Sequence, residues 1–194
     1  DCYADLGYRT VSTNPCGEIP LCPYDSCRLL AINLYSYVVN PFKPDAYFDF
    51  DLFKKHVALA QRIMDDIIDL ELEKIERIMA KIDSDPENED VKHTESVLWQ
   101  KIYKKSGQGR RTGVGITAEG DMLAALGLRY GTEEATEFAE KVHQTVALSA
   151  YRSSVEMAKE RGAFEVYDSE REKSNPFINR LREADPELYE EMKK

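Results

Sequence analysis

Asn14-Pro15-Cys16-Gly17-Glu18, followed closely by Ser26-Cys27-Arg28-Leu29-Leu30-Ala31-Ile32-Asn33-Leu34, is the stretch around which the rest of the chain is organised. An amide, a thiol and a carboxylate stand at alternate positions, with Pro15 and Gly17 between them. In an extended segment alternate side chains point the same way, so Asn14, Cys16 and Glu18 can face one pocket. A thiol is a good nucleophile and hydrogen-atom donor. A carboxylate two residues on can act as a base, and an amide can orient a hydroxyl. The same spacing also fits a Pro-Gly turn that happens to hold a cysteine, and spacing alone favours that plainer reading.

Residues 1–28 are rich in Cys, Pro, Tyr and Gly and have no long period. Pro15, Pro20 and Pro23 lack an amide hydrogen and disfavour helix at the residue before them, so this segment reads as extended and looped. Residues 28–34 fit a short buried strand, and a helical turn fits the same pattern. Asn40-Pro41 and Lys43-Pro44 make a break. Asp49 or Asp51 can then cap a long helix. Its apolar stripe is Phe53, Val57, Ala60, Met64, Ile67 and Ile68, continuing through Leu72, Ile75, Met79 and Ile82, with a possible bend near Leu70. Ser84-Asp85-Pro86 ends it. A second helix is expected over 87–105, a flexible basic loop over 106–111, and a short strand over 112–117. A short helix over 122–126 should stop at Gly127. Thr132 should cap a long helix closed by Gly162, since both glycines stand where a left-handed residue ends a helix. Two short helices follow, around Pro176 and after Pro186.

The chain has 194 residues, 42% hydrophobic and 32% charged, enough apolar material for one core. A net charge of −10 argues against a nucleic-acid surface, which needs clustered Lys and Arg. No window is apolar enough for a membrane helix. All four cysteines, Cys2, Cys16, Cys22 and Cys27, fall in the first 27 residues. A disulfide scaffold would spread its bridges along the chain, and zinc sites usually show Cys-x-x-Cys pairs. The clustering instead points to reduced, reactive thiols and a cytoplasmic protein.

The Asn-Pro-Cys-Gly-Glu motif and the following Ser-Cys-Arg-Leu-Leu-Ala-Ile-Asn-Leu resemble the catalytic finger loop of ribonucleotide reductase large subunits. The form is most similar to the adenosylcobalamin-dependent, class II enzymes. The likeness continues through Met64-Asp65-Asp66-Ile67-Ile68-Asp69 and Arg110-Arg111-Thr112-Gly113-Val114-Gly115-Ile116. It includes Leu123-Ala124-Ala125-Leu126-Gly127, Tyr151-Arg152 and Ala158-Lys159-Glu160-Arg161-Gly162. The resemblance implies an α/β fold class: a mostly helical piece of the family's ten-stranded α/β barrel, carrying the finger loop (1–28) and one or two strands with helical scaffold (29–194).

It also implies roles. Cys16 would be the thiyl-radical cysteine that takes hydrogen from C3′ of the ribose. Glu18 would accept the 3′-hydroxyl proton, and Asn14 would hydrogen-bond the substrate hydroxyls. Cys27 would be one of the two thiols that reduce the 2′ position. The implied cofactor is adenosylcobalamin. The implied partners are a ribonucleoside di- or triphosphate, the remainder of the reductase chain and a thioredoxin-like reductant. The family's second reducing cysteine lies well upstream of the finger loop, and Cys2 stands too near Cys16 to fill that place. The nucleotide-specificity site and the C-terminal shuttle cysteines have no match either. The expectation is therefore an excerpt of a longer enzyme, inactive alone.

Two rival readings stand beside this one: a non-catalytic helical interaction module, and a metal or redox domain built on Cys16, Cys22 and Cys27. Other constellations carry less. Glu140-x-x-His143 is one half of what a carboxylate-bridged di-metal site needs and reads as a solvated helix face, as do His56, His93 and Asp65, Asp66 and Asp69, with Asp66 or Asp69 bonded to neighbouring loops. Residues 107–120 match neither glycine-rich phosphate pattern, and Arg110 and Arg111 are expected to pair with acidic helices.

Overall fold

The 14–19 stretch connects the two strands of a small hairpin. In the computed structural model, which describes residues 2–13, 17, 19–26 and 28–194, β1 (Ser12–Thr13) runs antiparallel to β2 (Pro20–Leu21). Ser12 lies opposite Leu21 and Thr13 opposite Pro20. The strand reading of 28–34 holds: β3 spans Leu29–Asn33, and Asn33 caps a turn of tighter helix over Leu34–Tyr37. A second two-residue pair was not anticipated, β4 (Val38–Val39) against β5 (Tyr47–Phe48).

Asp49 caps α1 (Phe50–Ser84), its carboxylate accepting from the Leu52 amide at 2.9 Å. Asn88 caps α2 (Glu89–Gly109). The first four residues of the loop expected over 106–111 are thus the last turn of α2. They are fixed there because Ser106 is fully buried and its hydroxyl accepts a bond from Arg28. Arg110 closes the helix at φ 41°, a left-handed position more often taken by glycine, and its side chain holds it there through Asp65 and Asp69.

After this comes β6 (Gly113–Thr117), parallel to β3 in a register from Leu29 opposite Gly113 to Asn33 opposite Thr117. Parallel neighbours need a crossover, and the α1–α2 hairpin supplies it. α3 (Glu119–Ala125) starts before the expected Met122. Gly127 follows it at φ 77° as anticipated. α4 (Glu133–Arg161) is capped by Thr132 and ended by Gly162 at φ 88°. The C-terminal segment holds an unanticipated turn, α5 (Ser169–Glu172), and the two expected helices, α6 (Pro176–Ala184) and α7 (Pro186–Met192).

One face of the β3–β6 pair packs on helices. Ile32 and Leu34 join Phe53, Val57, Ala60, Met122 and Val142 in the core, with Leu30, Val114 and Ile116 against it. The other face presents Leu29, Ala31 and Asn33, all exposed. Gly113 and Gly115 stand beside them in β6. Among the described residues no helix is long and apolar enough to cross a membrane.

Candidate active site

Asn14, Cys16, Glu18 and Cys27 lie outside the described residues. The site is therefore built from what flanks them: the hairpin stem, the turn before Cys27, and the start of β6. The alternation expected through 14–18 thus falls outside the described residues, apart from Gly17, which has φ 76°, a left-handed value that favours glycine.

Arg111 binds three separate stretches at once. Its Nη1 donates to the Pro20 carbonyl at 2.9 Å, its Nη2 to the Tyr8 carbonyl at 3.4 Å, and its Nε lies 3.1 Å from the Asp25 carboxylate. The expected pairing with an acidic helix therefore holds for Arg110 and fails for Arg111, whose side-chain partners Tyr8, Pro20 and Asp25 lie in the N-terminal segment. The Asp25 side chain keeps only 2% of its surface exposed. It also accepts from the Ser26 amide at 2.9 Å and the Cys22 thiol at 3.4 Å, which closes the turn two residues before Cys27. Burial, and then the negative charge of Asp25, push the Cys22 thiol up, so it stays protonated at neutral pH. Tyr8 is buried beneath the Lys105 ammonium, which sits 3.8 Å from its ring centre.

Arg28, beside Cys27, is 5% exposed. It is ion-paired to Glu71 of α1 and donates to Ser106 Oγ at 2.8 Å and to the Arg111 carbonyl at 3.1 Å. A buried cation needs such partners, and their absence would leave it uncompensated. The loop also packs directly on β6. A Cβ added to Gly113 would stand 2.6 Å from Ile19 Cδ1 and 2.8 Å from the Arg28 carbonyl oxygen. Glycine at 113 is what lets the loop and the start of β3 approach β6 so closely.

The acidic face of α1 does more than solvate. Asp65 and Asp69 hold Arg110, and Asp65 and Asp66 hold Arg161 at 2.9 and 2.8 Å. A groove of about 1060 Å³ runs beside it, between α4 and the C-terminal segment, lined by Arg110, Val114, Ala150, Tyr151 and Tyr167 among others. Burial pushes the Tyr151 phenol up to about 12. His143 is more than half exposed, 3.6 Å from Glu119. Among the described residues no group of three His, Cys, Asp or Glu could hold a metal ion.

Sequence reasoning missed Asp25, Arg28, Glu71 and Gly113. One signal was available: Arg28 opens an otherwise apolar run, and a charge there demands a buried partner.

Residues 7–192 match the family model described as ribonucleotide reductase, barrel domain. A vitamin B12-dependent ribonucleoside-diphosphate reductase of Thermoplasma acidophilum is 36% identical over 163 residues, 84% of this chain and 18% of that protein. One of Mycobacterium tuberculosis is 31% identical over 172 residues, 88% of this chain and 21% of that protein. A ribonucleoside-diphosphate reductase subunit alpha of Chlamydia pneumoniae is 28% identical over 159 residues, 80% of this chain and 12% of that protein. The chain thus spans about a fifth of the length of its B12-dependent relatives. With the match covering nearly its whole length, the chain belongs to the ribonucleotide reductase barrel-domain family.

Proposed function

We propose that this chain is the part of a ribonucleotide reductase catalytic subunit that carries the radical cysteine. The observation that carries the reading is an Asn-Pro-Cys-Gly-Glu motif in the sequence between β1 and β2, whose stem is bound by Arg111 just before β6, in a chain matching the family barrel over residues 7–192. The relatives' names support a ribonucleoside diphosphate as substrate and a vitamin B12 cofactor.

In this reading the Cys16 sulfur radical takes hydrogen from C3′ of the ribose: an S–H bond forms and a C–H bond breaks. Glu18 takes the 3′-hydroxyl proton, and Asn14 orients the hydroxyls. The 2′-hydroxyl then takes a proton from one of two reducing thiols, Cys27 and a second thiol outside this chain, and leaves as water as its C–O bond breaks. The pair of thiols supplies two electrons, the remaining thiol hydrogen goes to C2′, and the two sulfurs become a disulfide, which a thioredoxin-like reductant reopens. Hydrogen returns from Cys16 to C3′. Radical chemistry of this kind needs water and side reactions excluded. Cobalamin supplies the radical-generating chemistry when bound. The described side chains at the stem, Arg111, Asp25 and Cys22, are engaged with one another, and the roles assigned here belong to this chain's own residues. The cytoplasm remains the proposed compartment, on the clustered thiols alone.

The test is a pair of variants in the full-length reductase. Cys16→Ser should abolish both deoxynucleotide formation and wash-out of tritium from the 3′ position. Cys27→Ser should keep the wash-out and lose deoxynucleotide formation. Near-normal turnover in Cys16→Ser sinks the reading.

A further inference from the structure

We infer that Arg111 is a positioning residue for this site, fixing the Cys16 loop and the Cys27 segment in one relation to each other. The inference rests on the proposed function and assigns a part in it to a residue outside the motif. Three observations carry it. First, the guanidinium reaches across the stem on both sides of the loop. The Tyr8 carbonyl precedes β1, and the Pro20 carbonyl is in β2. Second, its remaining edge meets Asp25, a buried carboxylate that already organises the turn leading to Cys27. Third, Arg111 is itself held, because Arg28, the residue after Cys27, donates to its carbonyl. The stem that flanks Cys16 and the turn that leads to Cys27 thus meet at one planar cation.

Arginine suits this place because its fork offers rigid donors in several directions at once, whereas lysine presents a single mobile ammonium. The proposed reaction needs that rigidity. Cys16 must reach C3′ and Cys27 must reach C2′ of the same sugar, and a displacement of about 1 Å between such groups is enough to lower a rate about a hundredfold. Loosening the clamp should therefore harm the second step relative to the first: hydrogen is still taken, and reduction fails to follow.

The experiment uses the full-length reductase with substrate tritiated at C3′. It reads deoxynucleotide formed per tritium washed out, with KM and the thermal midpoint measured alongside. Arg111→Met should lower that ratio by about tenfold or more, with KM changed little. Arg111→Lys should fall between. A role in stability alone would lower both readouts together and leave the ratio unchanged, and that result overturns the inference. So does a ratio and rate equal to the parent enzyme's. Should Arg111→Met fail to fold, Asp25→Asn loosens the same clamp from its other side. It should move the ratio the same way, and an unchanged ratio there also overturns the inference. Cys16→Ser, run in parallel, separates the two claims. Activity surviving in that variant defeats the functional reading, whereas an inert Cys16→Ser beside an unchanged Arg111→Met ratio defeats only the positioning role.

Discussion

The core that joins α1 to α4 and the seat of the β1–β2 stem sit on the same scaffold but are closed by different physics. In the first, Phe53, Val57 and Val142 have no exposed surface, and Ala60 and Ala135 fill the gaps between them. The ion pairs there, such as Arg62 with Glu160 at 2.7 Å, lie at the rim. In the second, the burial is largely of polar groups: Arg28 with Glu71 and Ser106, and Asp25 with Arg111, the Ser26 amide and the Cys22 thiol. Apolar contacts depend on volume and are nearly non-directional, whereas a charge buried beside a loop must meet particular donors and acceptors at particular angles. The first arrangement supplies stability. The second supplies placement, and losing one partner strands another.

The contrast breaks most visibly through the core. Phe53→Ala should lower the unfolding free energy by about 3–5 kcal/mol, measured by denaturant titration of the full-length reductase. A loss under about 1 kcal/mol would show that the Phe53 contacts are not what closes it. Gly113→Ala should act on the seat. The added methyl meets Ile19 and the Arg28 carbonyl, at a cost of about 1–3 kcal/mol, and deoxynucleotide formation should fall by more than stability alone explains. Ile19→Val in that background should recover part of the activity, because the nearest methyl in the clash is gone. No recovery would place the conflict at the Arg28 carbonyl instead.

The smallest effect is a pH dependence. Cys22 is held neutral, its folded value raised by burial and by Asp25. Its contribution to stability is therefore complete below the ordinary thiol value of about 8.5 and is lost as pH rises through the raised folded value. The slope of stability against pH between those two values should flatten in Cys22→Ala, and an unchanged slope there would mean that another group carries it.

The same contrast governs what could be read in advance. The apolar stripe of α1 repeats every three or four residues, and Asp49, Thr132, Gly127 and Gly162 mark helix ends locally, so the scaffold was legible. The strand at 28–34 was legible as a strand but not as a parallel partner of β6, because pairing is a property of two distant segments. The loop seat was hidden for that reason. Arg111 finds Pro20 91 positions away, and Arg28 finds Ser106 78 away. No local period records such contacts. The short β4–β5 pair and α5 were missed because two- to four-residue elements carry too little pattern. Of the candidate site, the motif was legible; its clamp and its glycine were not.

If the core and the seat are independent, removing the clamp should loosen one and spare the other. Amide hydrogen exchange of Arg111→Met against the parent full-length reductase measures this directly. The account predicts faster exchange confined to residues 8–13 and 19–26, with α1 and α4 protected as before. Faster exchange of equal size across α1 and α4, or no change at the stem, would contradict it.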